Sequence, residues 1–356
     1  MYPVAANKHA LVVGASGLLG TNFHQYLESL GDWEIGTLSR KPVGGSTAAR
    51  HLALDLLDRN ACAQAVPALA AVTHVFYLSR LVEPDSDYVI EVDPNVDMLK
   101  NLIDHLDPVA KRLEHVQLMH GSKWYGSKLG PFKVPAKESH PRPTQALYYY
   151  GQHDYLTQKQ QGRRWTWSTL RPHFVNGVAV GSPSNLVSAI GAYAAILQEL
   201  DLPFSFPGSE HAFDALLMYA DVKLLSKAMV WAAIEPRCAG QDFNIANGDY
   251  FRWRDVWDGL AAHFGMAPGT VGLLKLKDFM RDKAPVWDRL IVKHGLRPTA
   301  FGQIADWAFA DSVFRIEWDQ ALSVVKSHQF GFGEMIDSEQ MLLDILSEYR
   351  RLRILP

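Results

Sequence analysis

A short apolar run followed by three spaced glycines is the feature that most constrains this chain. Residues 10–13, Ala-Leu-Val-Val, are apolar and partly β-branched, which is typical of a buried parallel strand. Gly14, Gly17 and Gly20 follow in a GxxGxxG spacing, and apolar side chains then recur on one helical face up to Gly31. A strand, a glycine-rich turn and a helix in this order bring backbone N–H groups and a positive helix end to a pyrophosphate. The dinucleotide contacts that we predict at this loop are Gly14, Ser16, Gly17, Leu18, Leu19 and Gly20.

The same alternation of strand and helix patterns continues through the first half of the chain. Strand patterns occupy residues 33–38, 74–78, 116–119 and 167–170, and the helical patterns between them include residues 96–106 and 148–161. This order predicts an α/β fold, a Rossmann doubly wound parallel sheet with right-handed crossovers.

A change of pattern near residue 175 predicts a second unit. Glycine and proline become frequent, and helical patterns then dominate, as in the face formed by Trp253, Val256, Trp257, Leu260 and Phe264. Because 356 residues are too many for one compact core, two units are expected. We predict an NADP-binding Rossmann domain at 1–175, to which later segments return, and a smaller, mainly helical substrate-binding lobe at 176–356.

The end of the second strand pattern indicates which dinucleotide is bound. An NAD enzyme usually ends this strand with an acid that binds the ribose 2′-hydroxyl, but here the sequence is Leu-Ser-Arg-Lys-Pro. Arg40 and Lys41 could pair with a 2′-phosphate and Ser39 could donate to it, although a solvated basic turn is the alternative. Asp55 could accept from the adenine amino group or could cap a helix. We predict NADP(H), with further contacts from Leu56, Leu78 and Ser79.

The amino-acid composition limits the classes of binding partner that we expect. The net charge of −3 comes from 35 basic and 38 acidic residues, which argues against a nucleic acid or an anionic membrane as partner. Cys62 and Cys238 form no motif, so we expect two buried thiols and neither a disulfide nor a metal site. No run approaches the roughly 18 apolar residues of a membrane span, and no apolar leader precedes the first strand, so we expect a cytoplasmic protein.

Reduction of a carbonyl-conjugated system needs an acid with a tuned pKa and a cation that assists it. A tyrosine and a lysine four residues later on one helix face, YxxxK, are the usual pair. Here four residues after Tyr149 comes His153, and Lys159 lies off that face. Lys123, directly after the strand pattern 116–119, is the candidate that remains, because such strand ends open onto the crevice of a doubly wound sheet.

Two motifs make the chain resemble the progesterone 5β-reductase/iridoid synthase-like (PRISE) family of atypical, extended short-chain dehydrogenases. The family's Lys-His/Trp-Tyr motif with Gly-Pro-Phe is similar to residues 123–125 and 130–132, and its Phe-Tyr-Tyr-x-x-Glu-Asp motif is similar to residues 148–154. His153 replaces the family's glutamate, and Leu147-Tyr148 replaces its usual Asn-Phe. Further matches are Val75-Phe76-Tyr77, Trp167-Ser168, Arg171-Pro172, Phe206-Pro207-Gly208, residues 244–249 and Trp253.

The resemblance implies an NADPH-dependent reductase of activated C=C bonds, which adds hydride to the β-carbon of an enone or enal. It implies that Tyr149 and Lys123 are the catalytic pair, with Lys123 lowering the pKa of Tyr149, which hydrogen-bonds the enolate oxygen. Tyr148 or Tyr150 could instead be the acid, and Lys123 could be a surface lysine. We expect the nicotinamide to be backed by Pro172, His173, Phe174 and Val175.

The sequence leaves other functions open. A carbonyl (1,2-) reductase, an NAD-dependent epimerase/dehydratase or a non-catalytic NADP sensor would share this fold. We expect a small, partly apolar, carbonyl-conjugated substrate, and a homodimer is one assembly to test. Trp124 and Tyr125 are expected to pack rather than react, and His153 is more often structural than a base. The apolar side chains expected to contact substrate, or else to pack in the core, are Phe204, Phe206, Phe213, Leu216, Leu217, Met218 and Tyr219.

Overall fold

A seven-stranded parallel sheet is the centre of the computed structural model, which describes residues 8–42, 49–81 and 92–356. The segment 1–7, where no apolar leader is expected, lies outside the described residues. The strands are β1 Lys8–Val13, β2 Trp33–Ser39, β3 Arg50–Ala53, β4 His74–Tyr77, β5 His115–Met119, β6 Thr166–Pro172, β7 Val175–Asn176, β8 Phe204–Phe206, β9 Ala220–Asp221, β10 Gln241–Ile245 and β11 Pro268–Val271. The large sheet has the order β10-β6-β5-β4-β1-β2-β3, so the predicted Rossmann-type fold is confirmed.

Helices cover both faces of this sheet. They are α1 Leu18–Leu30, α2 Arg59–Ala65, α3 Val92–Leu106, α4 Tyr148–Gln160, α5 Leu186–Glu199, α6 Glu210–Asp214, α7 Val222–Ile234, α8 Trp253–His263, α9 Leu276–Phe279, α10 Ala284–His294, α11 Phe301–Ile304, α12 Trp307–Phe314, α13 Val325–Gln329 and α14 Ser338–Arg351. Within the described residues, no helix is long and apolar enough to cross a membrane.

Burial explains why the strands read as continuous apolar runs. Residues 10–13 of β1 are almost fully buried, because α1 and α7 cover one face of the sheet and α2, α3 and α4 cover the other. The helix α1 ends at Gly31, whose φ of 74° is a left-handed conformation that glycine adopts easily, as the sequence predicts. Cys62 and Cys238 are free and buried, which confirms the prediction of two buried thiols.

The second half of the chain contributes to two cores. Strand β10 pairs in parallel with β6, and α7 packs against the sheet, so these segments complete the Rossmann unit. A separate core joins α5, α8, α10, α12 and α14. Phe204, Phe206 and Tyr219 are buried there, at no more than 1% exposed.

The topology fixes where a ligand can bind. Strand β1 lies between β2 and β4, so the chain runs outward in both directions from this point. All seven strands are parallel, and their carboxyl ends therefore lie along one edge. Ligands of doubly wound sheets bind in the crevice outside this edge.

Candidate active site

One cavity of about 1230 Å³ runs along the carboxyl edge of the sheet. It exceeds the roughly 300–1,000 Å³ of ordinary small-ligand pockets, which leaves room for a dinucleotide and a small substrate together. Apart from His173, the residues that the sequence assigned to catalysis or cofactor binding line it: Gly14, Ser16, Gly17, Leu18, Leu19, Gly20, Ser39, Arg40, Lys41, Asp55, Leu56, Leu78, Ser79, Lys123, Tyr149, Pro172, Phe174 and Val175.

The three glycines of the first loop are needed for different reasons. Gly14 has a φ of 86°, and a Cβ there would lie 2.8 Å from the Ser79 backbone nitrogen. A Cβ on Gly20 would lie 2.4 Å from the Gly14 carbonyl oxygen, so both positions are closed by the protein's own backbone. Beside Gly17, the nearest atom would be 3.7 Å away, and the helix that Gly17 caps has no side-chain cap. An open approach to an uncapped helix N-terminus fits a phosphate.

The tip of β2 presents basic side chains to the cavity. Arg40 and Lys41 are both exposed and both line the cavity wall, while the Ser39 hydroxyl donates to the Lys41 carbonyl at 2.6 Å. Asp55 does not cap helix α2, because Asp58 does so through a bond from the Ala61 N–H. The helix-cap alternative for Asp55 is therefore wrong, and its carboxylate instead accepts from the Leu57 N–H at 3.0 Å.

Tyr149 lies in the first turn of α4 with its ring stacked on His120, at a centroid distance of 4.5 Å. Its hydroxyl approaches the loop after β5, since a Cβ built on Gly121 would be 3.3 Å from the Tyr149 oxygen. Burial raises the pKa of Tyr149, and the guanidinium of Arg80 opposes that rise. The phenol therefore stays protonated at neutral pH, so the expected lowering of the pKa of Tyr149 by Lys123 is wrong in this structure.

Lys123 lies in the 3₁₀ turn Ser122–Tyr125 and lines the same cavity. It is partly buried, so it is not a solvated surface lysine. Burial and the nearby cations Lys128 and Arg80 hold the pKa of Lys123 well below its usual range. The pKa of Lys128 is lowered in turn, by burial and by Arg80, to about 8.

Two of the three adjacent tyrosines face the cavity. Tyr148 and Tyr149 line it, whereas Tyr150 does not. The Tyr150 hydroxyl donates to the Trp124 carbonyl at 2.8 Å and accepts from Gln145 at 2.7 Å. The structure thus separates Tyr150 from the site and keeps Tyr148 beside Tyr149.

A buried charge network supports the site from behind. His153 Nε2 lies 3.2 Å from a carboxylate oxygen of Asp242, whose other oxygen pairs with Arg171 at 2.9 Å. Burial would raise the pKa of Asp242, but the hydrogen bond with His153 and the charge of Arg171 hold it at about 2. His153 does not line the cavity, which fits a structural role better than that of a base.

A stack of planar groups connects this network to Tyr149. The Arg171 guanidinium lies 3.7 Å from the ring centroid of Trp124, which stacks on His120, which stacks on Tyr149. Tyr125 donates to the Asn244 side chain at 2.6 Å. Trp124 and Tyr125 are thus packing residues, as predicted, and the stack fixes the plane of the Tyr149 ring.

The segment after β6 forms the third wall. Pro172, Phe174 and Val175 line the cavity, but His173 is buried outside it, and burial lowers the pKa of His173 to about 3. Phe174 has a φ of 36°, a left-handed conformation that costs a non-glycine residue about 1–2 kcal/mol. Its carbonyl accepts from the Asn176 side chain at 2.8 Å, which helps to hold this conformation.

The apolar side chains that line the cavity are not those expected from the sequence. The stripe between Phe204 and Tyr219 does not line the cavity, because most of it packs in the helical core. Sequence pattern cannot distinguish a core face from a pocket face, since both need apolar side chains. Lining residues that were missed include Arg80, Met98, His120, Ser122, Ser127, Lys128, Leu186, Phe309, Ile316, Trp318 and Gln320.

Comparison with known families identifies the chain. A model described as a PRISE-like Rossmann-fold domain matches residues 53–356, most of the sequence. The chain belongs to this PRISE-like family. The resemblance seen in the two motifs at residues 123–132 and 148–154 is therefore confirmed.

Relatives of this PRISE-like chain match over nearly their whole length. An (S)-8-oxocitronellyl enol synthase of Nepeta cataria is 31% identical over 372 residues, covering 98% of this chain and 93% of its own. A second one, from Catharanthus roseus, is 30% identical over 366 residues, with 98% and 92% covered. A short chain dehydrogenase of Penicillium aethiopicum is 29% identical, with 98% and 99% covered. The PRISE-like chain is an oxidoreductase of the short-chain dehydrogenase/reductase superfamily.

Solved structures agree on the fold. The UDP-glucose 4-epimerase of Thermus thermophilus, in complex with NAD, has a TM-score of 0.67 at 17% identity, with 96% of this chain and 99% of that one covered. The Bordetella bronchiseptica enzyme WbmG, also in complex with NAD, has a TM-score of 0.69 at 16% identity, with 100% and 98% covered. At these identities the similarity shows that the PRISE-like chain has the fold of extended short-chain dehydrogenases.

Proposed function

We propose that this PRISE-like enzyme uses NADPH to reduce the C=C bond of small conjugated carbonyl compounds. The observation that carries the proposal is the position of Tyr149, a buried phenol that lines the same cavity as Lys123 and the glycine loop at Gly14. The names of the relatives support it, because hydride addition to the β-carbon of an enal gives an enolate, which one proton on oxygen converts to an enol.

The residues present fit a phosphorylated dinucleotide. The uncapped N-terminus of α1 would hold the pyrophosphate, and Arg40 and Lys41 would bind a 2′-phosphate, Arg40 in a bidentate manner. No acid follows β2 to bind a 2′-hydroxyl, which favours NADPH over NADH. Asp55 would accept from the adenine amino group.

A reduced nicotinamide bound here supplies the hydride. Addition of hydride to the β-carbon moves the electron pair of the alkene onto the carbonyl oxygen. Tyr149, protonated because burial raises its pKa, donates a hydrogen bond to that oxygen as it becomes negative. The α-carbon then takes a proton from solvent, so that one hydride and one proton saturate the bond.

Lys123, which lines the same cavity, acts as a second donor. Its lowered pKa does not remove this role, because an amine keeps N–H donors in either protonation state. Arg80 adds positive charge beside the phenol, which stabilises negative charge on the nearby oxygens. These groups stabilise the transition state more than the neutral substrate, which is the requirement for catalysis.

Replacement of Tyr149 by Phe tests the proposal. The ring and its stack on His120 remain, but the donor is lost, so we expect kcat for an enone to fall by about 10²–10⁴. The Kd of NADPH should stay within about twofold of the parent value, since the phosphate contacts are untouched. Steady-state kinetics and fluorescence titration measure the two quantities, with Tyr150→Phe as the matched control. Unchanged enone turnover in Y149F would remove Tyr149 from the mechanism.

A further inference from the structure

Two phenols, not one, reach the cavity from the first turn of α4. Tyr148 and Tyr149 are 3% and 6% exposed, and both line the cavity. Their rings meet edge to face, with centroids 4.6 Å apart and planes inclined by 68°. Consecutive helical residues point about 100° apart, so the two rings must turn toward each other to make this contact.

We propose that Tyr148 is a positioning residue whose hydroxyl donates a hydrogen bond to the Tyr149 oxygen and stabilises the partial negative charge that this oxygen gains as Tyr149 donates to the substrate. This inference rests on the proposed function, because it gives Tyr149 the role of donor to the substrate oxygen. It adds a residue that the family motif does not require, since the motif has phenylalanine where this chain has Tyr148.

The electrostatics assign different roles to the two phenols. Burial and the charge of Tyr149 raise the pKa of Tyr148 well above its usual value. Burial also raises the pKa of Tyr149, but Arg80 and the hydrogen-bonding contact of Tyr148 oppose that rise. The Tyr149 oxygen is therefore the one that gains partial negative charge, and Tyr148 donates a hydrogen bond to it.

A donor chain of this kind acts on the transition state. The Tyr148 hydroxyl donates to Tyr149, and the Tyr149 hydroxyl donates to the substrate oxygen, so each bond polarises the next. The effect grows as negative charge develops on the substrate oxygen, and it is weak with neutral substrate. Loss of Tyr148 should therefore lower kcat rather than raise KM.

Other charged groups around Tyr149 must be considered in any pH experiment. Among the described residues, Arg80, Lys123 and Lys128 line the same cavity as Tyr149, and His120 stacks on its ring. Burial holds the pKa of His120 well below its usual value, so it stays neutral through the working range. The two lysines titrate in every variant compared below, so the difference between variants isolates Tyr148.

The decisive variant is Tyr148→Phe, which removes one oxygen and leaves the ring, its burial and its edge-to-face contact in place. We expect kcat for an enone to fall about 5- to 20-fold, with KM and the Kd of NADPH within about twofold. The alkaline limb of the kcat profile should move to higher pH, because Tyr149 loses the donor that lowers its pKa. Tyr150→Phe, which removes a hydroxyl bonded to the Trp124 carbonyl outside the cavity, should shift neither kcat nor the limb.

The double variant Tyr148→Phe/Tyr149→Phe separates a failure of this inference from a failure of the proposed function. If Tyr148 acts through Tyr149, the double variant has the same kcat as Tyr149→Phe alone, and the two changes are not additive. Additive losses, or a Tyr148→Phe profile that matches the Tyr150→Phe profile, overturn the inference while Tyr149 keeps its role. Full turnover in Tyr149→Phe overturns both.

Discussion

At the scale of single residues, the basic tip of β2 is the basis of the proposal that the enzyme uses NADPH. Arg40 and Lys41 are exposed and line the cavity. The sequence at the end of β2 has no acid that could bind a ribose hydroxyl. The variant Arg40→Ala/Lys41→Ala should raise the KM for NADPH at least about tenfold at low salt and leave that for NADH nearly unchanged, since two charge-assisted contacts are lost. Lys111→Ala removes an exposed cation away from the cavity and serves as control. Equal losses with both cofactors would argue against a 2′-phosphate site.

Sequence reasoning found the residues whose chemistry depends on local order. Gly14, Gly17 and Gly20 follow a strand at a fixed spacing, and Lys123 and Tyr149 occur in motifs. It missed Arg80 and His120, which also follow the carboxyl ends of strands but belong to no motif. The direction of the pKa shift of Tyr149 could not be predicted, because it depends on burial and on the charge of Arg80, which follows a different strand.

At the scale of elements, two buried histidines make the sheet sensitive to acid. His74 on β4 and His115 on β5 lie opposite each other in register, and His115 bonds to the hydroxyls of Thr166 and Ser168 at 2.8 Å. Burial lowers the pKa of His74 to about 4 and that of His115 to about 3. In the unfolded chain both take up a proton below the ordinary pKa of about 6.5.

The free energy of unfolding should therefore be highest above pH 6.5 and fall as the pH drops toward 4. At pH 5 each histidine accounts for about 2 kcal/mol of the loss. Denaturant unfolding at pH 7 and pH 5 measures this loss, and His115→Gln should reduce it by about half of the pair's share. His294→Gln, at an exposed position of α10, should leave the pH dependence as in the parent. A loss in His115→Gln as large as in the parent would show that His115 does not contribute.

The elements that sequence predicted best are those with strong local patterns. The strands β1, β2, β4, β5 and β6 and the helices α1, α3 and α4 lie within a few residues of their predicted bounds. Strand β10 was missed because its sequence, Gln-Asp-Phe-Asn-Ile, is short and half polar. Its place beside β6 depends on tertiary pairing that no local window contains.

At the scale of the whole molecule, the cavity needs both halves of the chain. The sheet edge supplies the loops at Gly14 and Lys123, and the later segments supply Leu186, Phe309 and Trp318. Because β10 and α7 return to the sheet, a boundary near residue 175 stays a proposal about folding units rather than a cut in the structure. A homodimer also stays a prediction.

The account depends most on where hydride is delivered. We would incubate the enzyme with small, partly apolar enones and enals and with NADPH that carries deuterium at both C4 positions of the nicotinamide. NMR of the product should then show deuterium on the β-carbon of a saturated carbonyl compound. Deuterium on the former carbonyl carbon of an allylic alcohol, or no oxidation of NADPH with any conjugated carbonyl, would contradict the proposed reduction.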